Sequence, residues 1–364
     1  MEIPANRLDR TFERHQTEYE AAALKVLRSG RYVLGEETAA FESEFAAYLG
    51  GGTCVGLASG LDALWIAFRL LGIGPGDEVL VQGNTYIATV MGITKNGATP
   101  VFAEPDAHFA MDPDALAPLL TDRTKAVLVT HLYGMMTPMA PIVRFCREHG
   151  LYLVEDCAQA HGAAYGGRKA GTFGDVGCFS FYPTKNLGCF GDGGAVWVRS
   201  PALAERFRTF RNYGSEKKYH NAEVGANSRL DELQAALLRV KLRHLDGLNA
   251  EKQRIAARYL REIENPQILL PEPAKGTVNV WHQFVVRCQR RGALADSLRE
   301  QGIGTEIHYP IPPHLAEAYR YLGLSRGALP KTEALADTVL SVPSFIGLTE
   351  DEQTRVIRAL NAFQ

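Results

Sequence analysis

The runs Val154-Glu155-Asp156-Cys157-Ala158-Gln159 and Phe179-Ser180-Phe181-Tyr182-Pro183-Thr184-Lys185-Asn186-Leu187-Gly188 each pass from apolar residues into a charged side chain. Short apolar runs of this kind read as buried strands, and a strand ending in a charge delivers it to the carboxyl edge of an α/β sheet, where such sheets bind ligands. Asp156 and Lys185 are therefore expected at one edge, although 29 positions separate them. The alternation continues on both sides. Residues 79–81, 99–103, 126–130, 151–155, 178–182 and 195–198 read as buried strands. Helical periods lie at 61–71, 112–120, 141–149 and 202–212, after a polar helical opening at about 9–29 and a helix-like stretch at 37–49. The pattern predicts an α/β layer fold whose mixed sheet is mostly parallel, with helices on both faces.

After Asn227 the character changes. Leu230, Leu233, Ala236, Leu237 and Val240 share a helical face, so 229–245 predicts a long helix that continues toward Ile263 as a second one. A strand at 281–288 and helices at 294–301 and 350–363 then make a smaller α+β unit. The expected division is a large domain over 1–245 and a small C-terminal domain over 246–364. A length of 364 residues suits two such cores.

The charges nearly cancel, 39 basic against 41 acidic, so no global field would recruit nucleic acid or an anionic membrane. No apolar stretch is long enough to span a bilayer and the amino terminus shows no secretory pattern, which predicts a soluble, cytoplasmic protein. The six cysteines lack Cys-x-x-Cys spacing and read as reduced and structural. Neither His-Glu-x-x-His nor Gly-x-Ser-x-Gly occurs, so metal hydrolysis and a serine elbow find no support, and no metal is expected.

An amine and a carboxylate at one sheet edge are the groups that pyridoxal phosphate requires. The amine holds its aldehyde, and the carboxylate keeps the ring nitrogen protonated so that the ring withdraws electrons. Lys185 would need a depressed pKa, from desolvation or nearby positive charge. It follows an aromatic strand and precedes Gly188-Cys189-Phe190-Gly191-Asp192-Gly193-Gly194, where backbone approaches something closely or simply loops into the next strand. Asp156 is the candidate carboxylate, although an acid after a strand also serves as a turn or cap. Gln159, three residues on, would hydrogen-bond the ring oxygen. In Ala58-Ser59-Gly60-Leu61 a Ser-Gly step opens an apolar helix, whose amides and dipole would face the phosphate; Ser59 also fits an ordinary N-cap. Ser180 offers a second hydroxyl. Tyr86 lies just past a strand and either stacks on the pyridine face or packs in the core. The Gly72-Ile73-Gly74-Pro75-Gly76-Asp77 string follows a helix rather than a strand and reads as a helix stop and turn.

Together these residues resemble the sugar aminotransferases of the DegT/DnrJ/EryC1/StrS family, which have the fold type I, aspartate aminotransferase-like architecture. The resemblance runs from Gly30-Arg31-Tyr32-Val33-Leu34-Gly35 through Ser59-Gly60, Glu155-Asp156, residues 180–194 and Gly225-Ala226-Asn227-Ser228-Arg229 to His308-Tyr309-Pro310. It implies that Lys185 forms a Schiff base with the cofactor, Asp156 holds the ring nitrogen, Gln159 the ring oxygen, and Tyr86 stacks on the ring. Ser59, Gly60 and Ser180 would bind the phosphate, with Asn227 donated by the neighbouring subunit of a homodimer. It further implies that glutamate leaves its amine on the cofactor as pyridoxamine phosphate, and that the amine then passes to a keto sugar linked to a nucleotide. Arg211-Asn212-Tyr213-Gly214-Ser215 and Lys217-Lys218-Tyr219-His220 resemble members that aminate C3 of dTDP-3-keto-6-deoxyhexoses, although Lys217-Lys218 also fits a solvated loop. Tyr32, Lys217, Tyr219, His308 and Tyr309 would then border the substrate. The Lys185-Asn186-Leu187-Gly188 stretch also resembles members acting on UDP-linked 3-keto-uronic acids. Amination at C4, or a pyridoxal-binding regulator without turnover, are the further alternatives.

Overall fold

A computed structural model of the chain describes residues 2–217 and 219–364; Lys218 of the substrate-side string lies outside the described residues. Seven strands form the central sheet, in the edge-to-edge order Thr53–Leu57, Gly194–Val198, Val176–Ser180, Tyr152–Asp156, Thr124–Thr130, Glu78–Gln82 and Thr99–Ala103. Gly194–Val198 runs against both of its neighbours, and the remaining pairs are parallel. The expected mixed, mostly parallel sheet is thus present. Its alternating side chains separate two cores. Leu80, Val127, Val129 and Leu153 pack with the helices Glu36–Tyr48, Met139–His149 and the start of Glu232–Glu262. Val79, Val81, Ala126, Leu128 and Val154 pack on the other face with Gly60–Leu70, Ile87–Thr94 and Pro201–Phe210. Parallel strands covered on both faces read as continuous apolar runs, which is why they were recognisable.

Three expectations need correction, and one strand is additional to those expected. Residues 112–120 form two short 3₁₀ turns, Pro113–Ala115 and Ala117–Leu119, rather than a helix. Pro118 lacks the N–H an α-helix would need and its ring would clash with the preceding turn. The strand expected to reach residue 182 ends at Ser180, so Lys185 lies in the loop beyond it. The two helices expected after Asn227 are one, Glu232–Glu262, unbroken through Gly247. A glycine there costs about 1 kcal/mol of helix propensity, and burial of Leu245 and Leu248 on either side of it offsets that cost. The Thr53–Leu57 strand, which had not been recognised, completes the sheet.

The long helix serves two cores. Leu238, Leu242 and Leu245 belong to the sheet's core, whereas Ile255, Ala256 and Tyr259 join Phe284, Val286, Leu340, Val356 and Leu360 in a second one. That second core holds the antiparallel pair Phe284–Arg287 and Val339–Val342 and takes in Ile3 from the other end of the chain. We propose that the division between the two units falls inside the helix. No helix among the described residues is long and apolar enough to cross a membrane. All six cysteines are unpaired and buried.

Candidate active site

Two acids end the Tyr152–Asp156 strand, and the pleat sends them to opposite faces. Glu155 turns to the structural face, where its carboxylate accepts from Gly171, Phe173 and Gly174 N–H groups at 2.7–2.8 Å and from His131 Nε2 at 3.1 Å. Asp156 turns toward the Ile87–Thr94 helix. Only 5 % exposed, it accepts from Thr89 Oγ1 at 2.7 Å and from the Ala158 N–H at 3.1 Å. Burial raises its pKa, while Thr89, Ala158 and the charge of Lys185 pull the other way. Lys185 is partly buried. Desolvation pushes its amine down to about 8 against the opposing pull of Asp156. Each side chain feels the other's charge, yet no hydrogen bond or ion pair among the described residues joins them. An acid held away from water and an amine with a lowered pKa thus share one sheet edge.

The anion cradle is built from close backbone approaches. Ser59 is extended and caps the Gly60–Leu70 helix, its Oγ accepting from Asp62 N–H at 3.1 Å. A Cβ on Gly60 would lie 2.5 Å from Ser180 Cβ, and one on Gly194 would lie 2.3 Å from the Ser59 carbonyl oxygen. Ser59, Gly60 and Ser180 are therefore neighbours at a helix N-terminus, in a space that only glycine leaves open. Donors and dipole there suit a phosphate. Amine, buried carboxylate and cradle together fit pyridoxal phosphate. Lys185 would hold its aldehyde, Asp156 its ring nitrogen, and Ser59, Gly60 and Ser180 its phosphate.

Tyr86 is half-exposed rather than core, and its ring centroid lies 4.9 Å from that of Tyr309. Gln159 joins the same group, with Nε2 donating to Tyr309 Oη at 3.0 Å and Oε1 accepting from Tyr133 N–H. Tyr133 in turn donates its hydroxyl to the His308 carbonyl. His308 Nδ1 lies 2.8 Å from Ser341 Oγ, and burial, then Lys185, lowers its pKa to about 4, so its ring is neutral near pH 7. Tyr86, Gln159, His308 and Tyr309 are thus linked in one network.

Other predicted residues are not brought to this group within the chain. Tyr32 is exposed and donates to the Leu27 carbonyl. Lys217 and Tyr219 belong to an exposed hairpin, Tyr219 at 86 %, and Asn227 is exposed beside its bridge partner Asn212. Sequence reasoning missed Thr89 and Tyr133. Thr89 lies in the helix Ile87–Thr94 and Thr85 just before it, and Thr85 Oγ1 lies within 3.0 Å of both Thr89 and Thr130 hydroxyls. Neither Thr89 nor Tyr133 carried a sequence signal for its role.

Among the described residues, two further groups of side chains have the makings of a metal site, one of them flanking Asp156 on the opposite face of its strand. In His131, Glu155 and Cys157 the carboxylate is already used by three N–H groups. In His15, Glu18 and His244 the imidazoles stack face to face at 3.7 Å and 10°, so their in-plane lone pairs do not converge.

Residues 13–361 match the sequence pattern of the DegT/DnrJ/EryC1/StrS aminotransferase family. The chain is 48 % identical to dTDP-3-amino-3,4,6-trideoxy-alpha-D-glucose transaminase of Streptomyces venezuelae, with 98 % of this chain and 95 % of that protein covered. It is 47 % identical to dTDP-3-amino-3,6-dideoxy-alpha-D-galactopyranose transaminase of Aneurinibacillus thermoaerophilus, covering 99 % of each. The crystal structure of S. venezuelae DesV in complex with a ketimine intermediate superimposes with a TM-score of 0.97 at 48 % identity, over 99 % of this chain and 98 % of that one. A putative sugar aminotransferase of Streptococcus pneumoniae in its PLP form gives 0.89 at 25 % identity, over 95 % and 96 %.

Proposed function

The chain belongs to the DegT/DnrJ/EryC1/StrS aminotransferase family, and on that premise we propose that it moves an amino group from glutamate to the C3 ketone of a dTDP-linked 3-keto-6-deoxyhexose. The products are 2-oxoglutarate and a dTDP-3-amino-3,6-dideoxyhexose. The observation that carries this reading is the Lys185 amine, its pKa lowered to about 8 by burial, at the same sheet edge as the buried Asp156. The C3 products named for both relatives support the choice of ketone.

Pyridoxal phosphate, when bound, supplies an aldehyde for the migrating amine and an electron-withdrawing ring. Asp156, oriented by Thr89 and Ala158, holds the ring nitrogen and keeps its proton in place. The Lys185 amine would hold the cofactor's aldehyde and, when displaced by the donor's amine, would be free to move a proton on and off the carbon that gains or loses nitrogen. Its pKa of about 8 suits both directions near neutral pH. Ser59, Gly60 and Ser180 hold the phosphate through oxygen and backbone donors, while Gln159 and Tyr309 fix the tilt of the ring. His308, being neutral, adds no charge that would oppose a protonated Lys185.

The site works in a homodimer in the cytoplasm. Tyr32, Tyr86, Tyr182, Phe190, Tyr213 and Tyr219 are large and exposed, and association of two copies would cover side chains of this kind. Asn227, Lys217 and Tyr219 then face the partner's cofactor and nucleotide. Six unpaired cysteines suit a reducing compartment.

The test is to incubate purified protein with glutamate and a panel of dTDP- and UDP-linked keto sugars, locating the new nitrogen by mass spectrometry and NMR. Amination at C3 of the dTDP-linked 3-keto-6-deoxyhexose is expected. Nitrogen at C4, or transfer only to a UDP-linked uronic acid, replaces the substrate. Bound cofactor without transfer to any keto sugar replaces the activity with a regulatory role.

A further inference from the structure

Beneath the loop that carries Lys185, the helix Glu232–Glu262 presents a polar stripe to the protein interior. Lys241, Asn249 and Lys252 are spaced eight and three apart, which places them on one helical face. All three are buried, the two lysines at 7 % exposure. Lys241 Nζ lies 3.4 Å from the Lys185 carbonyl oxygen and 3.3 Å from that of Gly188. Asn249 accepts from Asn186 Nδ2 at 2.8 Å and donates to the His161 carbonyl. Lys252 donates to the carbonyls of His282 and Ser344 at 3.0 and 2.6 Å.

An apolar side chain would fill these positions without desolvating an ammonium, and no ion pair of the described residues includes either lysine. The void between Asn6, Thr184, Asn186, Lys241 and Lys252 is about 30 Å³, room for a single water, so the stripe does not form a ligand pocket. What the lysines meet is main-chain carbonyl, and for Lys241 those carbonyls bound the turn that carries Lys185. Within the loop, Lys185 N–H donates to the Tyr182 carbonyl and Cys189 N–H to the Phe181 carbonyl, while Asn186 Nδ2 ties it to Asn249 and to the Val280 carbonyl.

We propose that Lys241 is a positioning residue for Lys185, its ammonium bracing both ends of the loop segment from which the Lys185 amine acts. At 3.3–3.4 Å the attraction is as much charge to carbonyl dipole as hydrogen bond, so the charge itself matters. Burial pushes Lys241 down to about 8, opposed by Cys189, and Lys252 to about 7, with Lys241 lowering and Glu251 raising it. The brace is therefore charged at and below neutral pH. The assignment rests on the reading of Lys185 as the residue that holds the cofactor.

Lys241→Met in the cofactor-loaded enzyme tests it. The variant should fold and bind cofactor. Its kcat should fall about 10- to 100-fold while KM for glutamate stays within about threefold, because positioning rather than binding is lost. Displacing the loop changes the burial and the separation from Asp156 that set the Lys185 amine's pKa, so the pH midpoint of the cofactor's absorption band should move by about half a unit or more. Lys252→Met, which leaves the Lys185 carbonyl untouched, should leave that midpoint in place. Should K241M not fold, Lys241→Gln keeps a donor without the charge and should show the same split. Wild-type kcat with an unmoved midpoint in either folded variant overturns the proposal, as does an equal midpoint shift in K252M. Borohydride reduction of the wild type followed by peptide mapping separates the two readings. A tag away from Lys185 defeats the functional reading, whereas a tag on Lys185 with unchanged K241M defeats only this inference.

Discussion

The two sides of the site are finished to different degrees. On the inner side Asp156, Gln159, Lys185, His308 and Tyr309 are buried or partly buried, and the side chains of Asp156, Gln159, His308 and Tyr309 meet partners from the same chain. On the outer side Tyr32, Lys217, Tyr219 and Asn227 stand exposed, spread over a loop and a two-stranded hairpin. Desolvation and neighbouring charge shift the pKa values of Asp156, Lys185 and His308 on the inner side. On the proposed reading, one chain would build the wall for chemistry, while the wall for recognition would need a contribution from outside that chain's own fold. A second copy fits that need.

The harshest way to break this contrast is to remove the inner wall's two charges. Lys185→Ala should abolish turnover and the visible absorption of the bound cofactor together, and retention of both would reject the assignment. Asp156→Asn should keep the cofactor, through the phosphate cradle, yet lower kcat by about 10²- to 10³-fold as the ring nitrogen loses its anion. Wild-type rates in that variant would mean that another group holds the ring nitrogen.

A gentler experiment asks whether the outer wall comes from the partner. A chain with Lys217, Tyr219 and Asn227 all changed to Ala keeps an intact inner wall, whereas K185A keeps an intact outer one. Each alone should be nearly inactive. Co-refolded in equal amounts they give hybrid dimers with one intact site each, so activity should recover to about a quarter of wild type if the walls are shared across a twofold axis. No recovery, with hybrids demonstrated by mass, would place both walls in a single chain.

Legibility in the sequence follows the same divide. Strands buried on both faces announce themselves as apolar runs, and a charge at the end of such a run marks the sheet edge; Asp156 and Lys185 were readable for that reason. The choice of Asp156 over Glu155 rests on side-chain alternation, with Glu155 turned to the loop at 171–174. Thr89, Tyr133 and Lys241 were not read out because their roles depend on which element packs against which. Lys241 sits 56 residues from the loop it braces and resembles any lysine on an amphipathic helix until its 7 % exposure is known. The unbroken helix through Gly247 was missed for a related reason, since burial of Leu245 and Leu248 overrode a local breaker. Exposed outer residues such as Tyr219 could be picked out only by resemblance, because nothing in their own segment constrains them.

The smallest effect expected is one of pH on stability, and it sharpens the contrast from the inner side. His308 is held neutral, its pKa near 4 instead of the ordinary 6.5, chiefly by burial and secondarily by Lys185; the largely exposed Glu306 carboxylate, 3.2 Å from Nε2, favours the charged form but is screened by solvent. Between those values the unfolded chain binds a proton that the folded chain does not, so stability rises with pH across the window. The contribution is fully present above about pH 6.5 and is lost as pH falls toward 4, amounting at most to roughly 3 kcal/mol for a shift of this size. His161 and His282 are buried neutral as well and titrate in the same sense, so the wild type alone cannot isolate one ring. His308→Gln removes the titration while leaving a side chain that can still reach Ser341. Melting temperatures of the two proteins, measured from pH 7 to pH 4, should converge by a few degrees as acid removes the wild type's advantage. A difference that stays constant with pH would show that His308 takes up its proton alike in the folded and unfolded chains, and that the inner wall does not hold this ring neutral.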